Sequence, residues 1–240
     1  MRWILSLVFI IQMYVALAVV SFGFAIPALI TRRAAFAAIH TYCRYVRWSA
    51  AVLVGLRSEV RGEVPQGEVL IASKHQSFFD ILILASVLPR PKFIMKRELL
   101  YTPFIGFYGL RTGCIPVNRG KRGAAIVKMK QDVMASPVKG QLIIFPQGTR
   151  VAPGADLPYK VGAGLLYDQL EQVCVPVATN VGVFWPRHGV LRKPGLAVIE
   201  FLPVIEPGLK VKAFMGRVEA VIEPASDALM AEAGWKPPEA

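Results

Sequence analysis

Hydrophobic and polar positions divide this chain into two unequal parts. From Trp3 to Thr31 no residue carries a charge, and Ile, Leu, Val, Phe and Ala dominate. A helix of that length extends roughly 40 Å, beyond the ~30 Å hydrocarbon thickness of a bilayer. The run is also longer than the apolar region of a cleaved signal peptide, so the pattern predicts an uncleaved membrane anchor. Pro27 is placed to end or kink it. Ala34 to Leu56 is again apolar but carries Arg44 and Arg47. This predicts a second helix whose arginines reach headgroups, so one full span and two helices lying in one leaflet both fit.

After Leu56 the pattern changes to short apolar runs punctuated by charge, Gly and Pro. Residues 69–73, 92–95, 114–117, 141–145, 173–178 and 196–201 are rich in Val and Ile and suit buried strands. Between them, 78–88, 102–110, 122–134 and 162–170 read as helices. A terminal helix over 211–230 is expected to be interrupted at Pro224, with GWKPPEA as a frayed tail. Pro176, inside an apolar strand, favours an edge strand or a bulge. This alternation predicts an α/β fold with a central sheet flanked by helices. The expected division is 1–58, a membrane-associated helical hairpin, and 59–240, one catalytic domain.

Composition adds the partners. Of 240 residues, 54% are hydrophobic and the mean hydropathy is +0.46, high for a soluble protein. Lys and Arg number 28 against 16 Asp and Glu, a formal charge of +12. The excess concentrates between Arg90 and Lys130, where ten basic residues meet a single acid, Glu98. An anionic membrane surface and a phosphorylated substrate both fit; no aromatic-interleaved basic module points to nucleic acid. Arg32 and Arg33 follow the apolar run and only Arg2 precedes it, which directs the remainder to the cytoplasm. Cys43, Cys114 and Cys174 are isolated, so neither a disulfide framework nor a zinc site is expected.

Four segments carry candidate chemistry. KHQSFFD (74–80) sets His75 at the end of a strand and Asp80 in the first turns of the next helix. A carboxylate there can fix the imidazole tautomer and leave the other ring nitrogen to take a proton. Ser77 suits the helix cap. FPQGTR (145–150) offers a turn with exposed amides, a hydroxyl at Thr149 and the fork of Arg150 for a phosphate. GCIPVNRG (113–120) puts Arg119 at another strand end, and VCVPVATN (173–180) is apolar. His40 and His188 have no carboxylate at a useful spacing.

Together and in this order, HxxxxD, the Arg119 segment, FPxGTR and Val-Pro-Val resemble the glycerolipid acyltransferases, and among them the bacterial lysophosphatidic acid acyltransferases. The resemblance covers roughly Val69 to Val177. It implies that His75 is a general base oriented by Asp80, and that a lysophospholipid hydroxyl attacks the thioester of acyl-CoA or acyl-carrier protein directly. It implies no metal and no cofactor. Arg119, Gly148, Thr149 and Arg150 would hold the acceptor's phosphate, with Lys96 of KRELLYTPFIG a further contact and Lys160 near it. Val175, Pro176 and Val177 would help form the acyl-chain site. A bacterial inner membrane, with the catalytic domain on its cytoplasmic face, is the implied location. Two positions depart from the family pattern: Lys74 replaces Asn and adds charge beside the base, and Gln147 replaces Glu, which marks a shifted acceptor preference if the glutamate's charge matters to the acceptor. Glycerol-3-phosphate or a lyso-ornithine lipid are alternative acceptors. A non-catalytic lipid-phosphate binder and a phosphohydrolase with His75 as nucleophile are readings of other classes.

Overall fold

The computed structural model describes residues 1–118 and 122–236. The long apolar run folds as two helices, α1 (Arg2–Gly23) and α2 (Ala25–Ile30). They part at Phe24, three residues before Pro27, whose nitrogen has no proton to offer the carbonyl of Gly23. α3 (Arg32–Val54) opens on Thr31, which accepts from the Ala34 amide, and closes on Gly55 in the left-handed conformation.

α1 lies against α3, with Gln12 donating to Ser49 and accepting from Tyr45. Phe9 and Met13 of α1 are buried in the same apolar cluster as Ile71, Ile83 and Val177, so the hairpin is packed into the domain. Among the described residues α1 is the one helix long and apolar enough to cross a membrane. Its outer face leaves Val8, Ile11, Val15, Val19 and Phe22 exposed. Arg47 departs from the expectation that it reaches for headgroups: it turns inward, donating to Ser58 Oγ and Ser86 Oγ at 2.8 Å each.

The strands are β1 (Leu56–Arg61), β2 (Leu70–Ser73), β3 (Pro91–Lys96), β4 (Ile115–Val117), β5 (Gln141–Ile144), β6 (Cys174–Thr179) and β7 (Gly195–Phe201). They form one sheet in the order β1-β7-β6-β2-β5-β3-β4. β6, β2, β5, β3 and β4 run parallel; β7 is antiparallel to β6, and β1 parallel to β7. All six expected strands are present. β1 was not legible because four of the six residues of LRSEVR are polar, which an outer strand tolerates, and it spans the expected 58/59 division.

Helices α4 (Phe78–Val87), α5 (Ile105–Arg111), α6 (Arg122–Met134), α7 (Gly162–Leu170) and α8 (Val211–Glu232) complete the fold. The pleat sorts the core: Ile71 and Ile143 face the α1, α3 and α4 side, whereas Leu70, Ala72, Leu142 and Ile144 face Ala163, Leu166, Phe214 and Val218 of α7 and α8.

Three expectations are corrected. Pro176 lies in β6, an interior strand. Its carbonyl still accepts from Leu202, and the pairing then slips by one residue, from Val177 opposite Phe201 to Cys174 opposite Ile205, so its missing N–H falls at a bulge in that ladder and not at an edge of the sheet. α8 continues through Pro224, and the carbonyl this frees belongs to Ala220 on the solvent side. The helix expected from Thr102 starts at Ile105, after a 3₁₀ turn over Arg97–Tyr101.

Candidate active site

β2 is buried along its whole length, and the amide of Lys74 extends its ladder by one bond to Val177. The chain then leaves the sheet at His75 and turns into α4. Ser77 caps that helix and Asp80 closes the reciprocal capping box from the third helical position. This accounts for the spacing of the motif. A carboxylate at that position points back over the helix start, where backbone amides and the positive end of the helix favour its charge.

One oxygen of Asp80 accepts from the amides of Gln76 and Ser77, both at 2.8 Å. The other meets Nδ1 of His75 at 3.0 Å. Asp80 is fully buried and His75 nearly so. With Nδ1–H donated to the carboxylate, Nε2 carries the lone pair; among the described residues nothing is bonded to it. The ring is held flat by Phe145, stacked at 3.9 Å between centroids and an 18° angle.

Phe145 follows β5, the neighbour of β2, and begins the FPQGTR turn. The amide of Val151 donates to the carbonyl of His75 at 2.7 Å, which ties the turn to the loop that carries His75. Gly148 has φ +70, in the left-handed region that favours glycine, and a Cβ there would come within 2.8 Å of the Lys160 ammonium. Arg150 and Arg187 each donate to the other's carbonyl at 3.4 Å. Among the described residues neither guanidinium is in an ion pair. Lys96 ends β3 at the same edge of the sheet, exposed and 3.3 Å from Glu98. Arg119 lies outside the described residues.

Two sequence departures take on definite roles. Lys74 does not add charge beside His75: its ammonium is buried on the other side and pairs with Glu223 of α8 at 2.6 Å. Tyr159 donates to the same carboxylate, and burial with that neighbouring charge pushes its phenol well above the usual range. Gln147 is buried and its Nε2 donates to the carbonyl of Leu157 at 3.1 Å, bracing the turn from inside. Val175 and Val177 are packed in the apolar core under the site.

Sequence reading missed Phe145 as the ring beneath His75, Arg187 as the neighbour of Arg150, and Gln76. The last accepts from the Gly182 amide at 3.0 Å and so joins the His75 loop to the segment after β6. Only Phe145 had a signal, its place at the head of the motif. Among the described residues no three His, Cys, Asp or Glu side chains converge as a metal site would require.

The acyltransferase family model matches residues 57–180, more than half of the chain. The chain belongs to that family. This acyltransferase is 29% identical over 197 residues to a 1-acyl-sn-glycerol-3-phosphate acyltransferase of Pseudomonas aeruginosa, covering 81% of this chain and 75% of the relative. It is 32% identical over 165 residues to the mouse 1-acyl-sn-glycerol-3-phosphate acyltransferase alpha, covering 65% of this chain but 57% of that protein. Its fold is that of the 1-acyl-sn-glycerophosphate (LPA) acyltransferase PlsC of Thermotoga maritima, with a TM-score of 0.80 at 18% identity over 98% of both chains.

Proposed function

We propose that this acyltransferase moves a fatty acyl group from acyl-CoA or acyl-carrier protein to the sn-2 hydroxyl of lysophosphatidic acid, giving phosphatidic acid. The observation that carries the reading is the His75–Asp80 contact at the carboxyl edge of the sheet, where ligands bind in α/β folds. The names of the relatives supply the acceptor class.

In this reading Nε2 of His75 takes the proton of the acceptor hydroxyl as its oxygen attacks the thioester carbonyl. Asp80 holds the tautomer and stabilises the imidazolium. The tetrahedral intermediate collapses with loss of the thiolate, which recovers the proton from His75. The acceptor oxygen attacks the donor directly, so no acyl-enzyme forms. Arg150, with Gly148 and Thr149 beside it, seats the phosphate; Lys96 and Arg119 complete the cationic rim. No metal or cofactor enters the scheme. The enzyme works at the cytoplasmic face of a bacterial inner membrane, with α1 in lipid and the basic surface on anionic headgroups.

The test is acylation by the purified, detergent-solubilised chain with both donor types. Lysophosphatidic acid is compared with glycerol-3-phosphate, lysophosphatidylcholine and a lyso-ornithine lipid. Lysophosphatidic acid is expected to be preferred, and His75→Ala to lower kcat/KM at least about a hundredfold. Arg150→Ala is expected to act mainly through the acceptor KM. Full activity in His75→Ala, or no acceptor acylated from either donor, overturns the proposal.

A further inference from the structure

The first 58 residues contain six arginines, no lysine and no acid; the first carboxylate of the chain is Glu59. Three of these arginines converge. Arg44, Arg47, Trp48 and Ala51 recur at intervals of three and four, one face of α3. That face meets Arg57 and Ser58 at the start of β1, and together these residues line an open cleft of about 430 Å³.

The cleft has excess positive charge by construction. Arg47 forms its partly buried wall, and its hydrogen bonds go to neutral oxygens of Ser58 and Ser86. Arg44 and Arg57 are exposed and in no ion pair among the described residues. Glu59, the nearest acid in sequence, is held by Arg61 at 2.6 Å. Three guanidiniums gathered without a counter-charge repel one another until an anion enters, and their planar forks match phosphate oxygens.

The rim of the cleft identifies which anion. Trp48 is 61% exposed. It lies 5.8 Å from the ring of Tyr45, whose hydroxyl donates at 2.7 Å to Gln12 of α1. The aromatic rim is therefore continuous with α1, whose outer face is apolar. Trp and Tyr beside such a surface are the usual arrangement at a membrane–water boundary. An amphiphile with its phosphate in the cleft would run its hydrocarbon along α1.

We propose that Arg44, Trp48 and Arg57, above the inner wall that Arg47 forms, make a seat for the phosphate of an anionic membrane lipid, separate from the His75 site. The seat shares no residue with the catalytic pair. It rests on membrane association of α1 and is independent of which acceptor is acylated.

The full chain in neutral detergent is titrated with short-chain phosphatidylglycerol, with phosphatidylcholine as the control. The signal is the tryptophan fluorescence that Trp48→Phe removes. Saturable binding of phosphatidylglycerol is expected, with Kd raised at least about tenfold in the Arg44→Gln/Arg57→Gln double variant. Arg44→Gln alone is expected to move Kd in the same direction by less. Arg47 is left in place because it joins α3 to β1 and α4, and the thermal melt of each variant confirms its fold. An Arg32→Gln/Arg33→Gln chain is expected to bind as wild type. Equal weakening in that control would mean diffuse attraction and overturn the seat. So would an equal response to phosphatidylcholine, saturation by free glycerol phosphate at the same affinity, or an unchanged Kd in the double variant.

Discussion

Asp80 spends its two carboxylate oxygens on two different tasks. One closes the start of α4 through two amides, and the other fixes the imidazole of His75. Asp80→Asn keeps the shape but loses the charge, and is expected to lower kcat at least about a hundredfold while the chain still folds. Steady-state rates beside a circular dichroism melt check both halves. Gln147 gives a less intuitive expectation. Only an amide NH₂ can face the Leu157 carbonyl, so Gln147→Glu, although it restores the family's residue, sets a carboxylate oxygen against a carbonyl. A loss of about 1–3 kcal/mol in stability is expected by chemical denaturation. His75 and Asp80 were legible because their contact is local, decided within one helix start. The pairing of Lys74 with Glu223 was not, since it joins residues 149 positions apart. The substitution at position 74 could be read only as added charge until α8 was in place.

Among elements, α4 carries the site on its first turn, so its cap bears on both stability and geometry. Ser77→Ala removes the side-chain acceptor of the capping box and is expected to cost about 1 kcal/mol, roughly 2–4 °C in Tm for a chain of this size. Calorimetry checks it. Elements with a strong apolar period were readable: the buried runs of β2, β5 and β6, and the helices α6 and α7. Those whose character depends on position in the sheet were not. β1 is a polar hexapeptide that becomes a strand because β7 offers a free edge. β6 accommodates Pro176 because the segment that continues β7 slips by one residue opposite it. Propensity is a property of the segment; edge and interior are properties of the assembled sheet.

At the scale of the whole molecule, the hairpin expected to be an appendage is part of the packing. α3 covers α4, and Phe9 of α1 meets Trp185 edge-on at 5.5 Å, while Trp185 stacks on Phe79 at 5.2 Å. Removal of residues 1–54 is therefore expected to leave a chain without a cooperative thermal transition, even in detergent, rather than a free catalytic domain. Loss of near-ultraviolet circular dichroism would show it. All three thiols are buried, and burial pushes that of Cys174 up to about 12, so none is expected to react with a thiol reagent at pH 8 before unfolding.

The reversal of direction at one side of the sheet has a geometric result. Because β7 and β1 run against the central strands, Leu56 starts β1 at the rim where β2 and β5 finish. The polypeptide thus emerges from its hairpin on the same side of the molecule as the imidazole. Had that outer pair followed the central orientation, the end of α3 would lie at the opposite rim of the sheet from His75 and Asp80. Under the proposed function, a greasy acceptor lying along α1 then needs only to tilt its polar end toward His75, its tail staying where it is throughout a turnover.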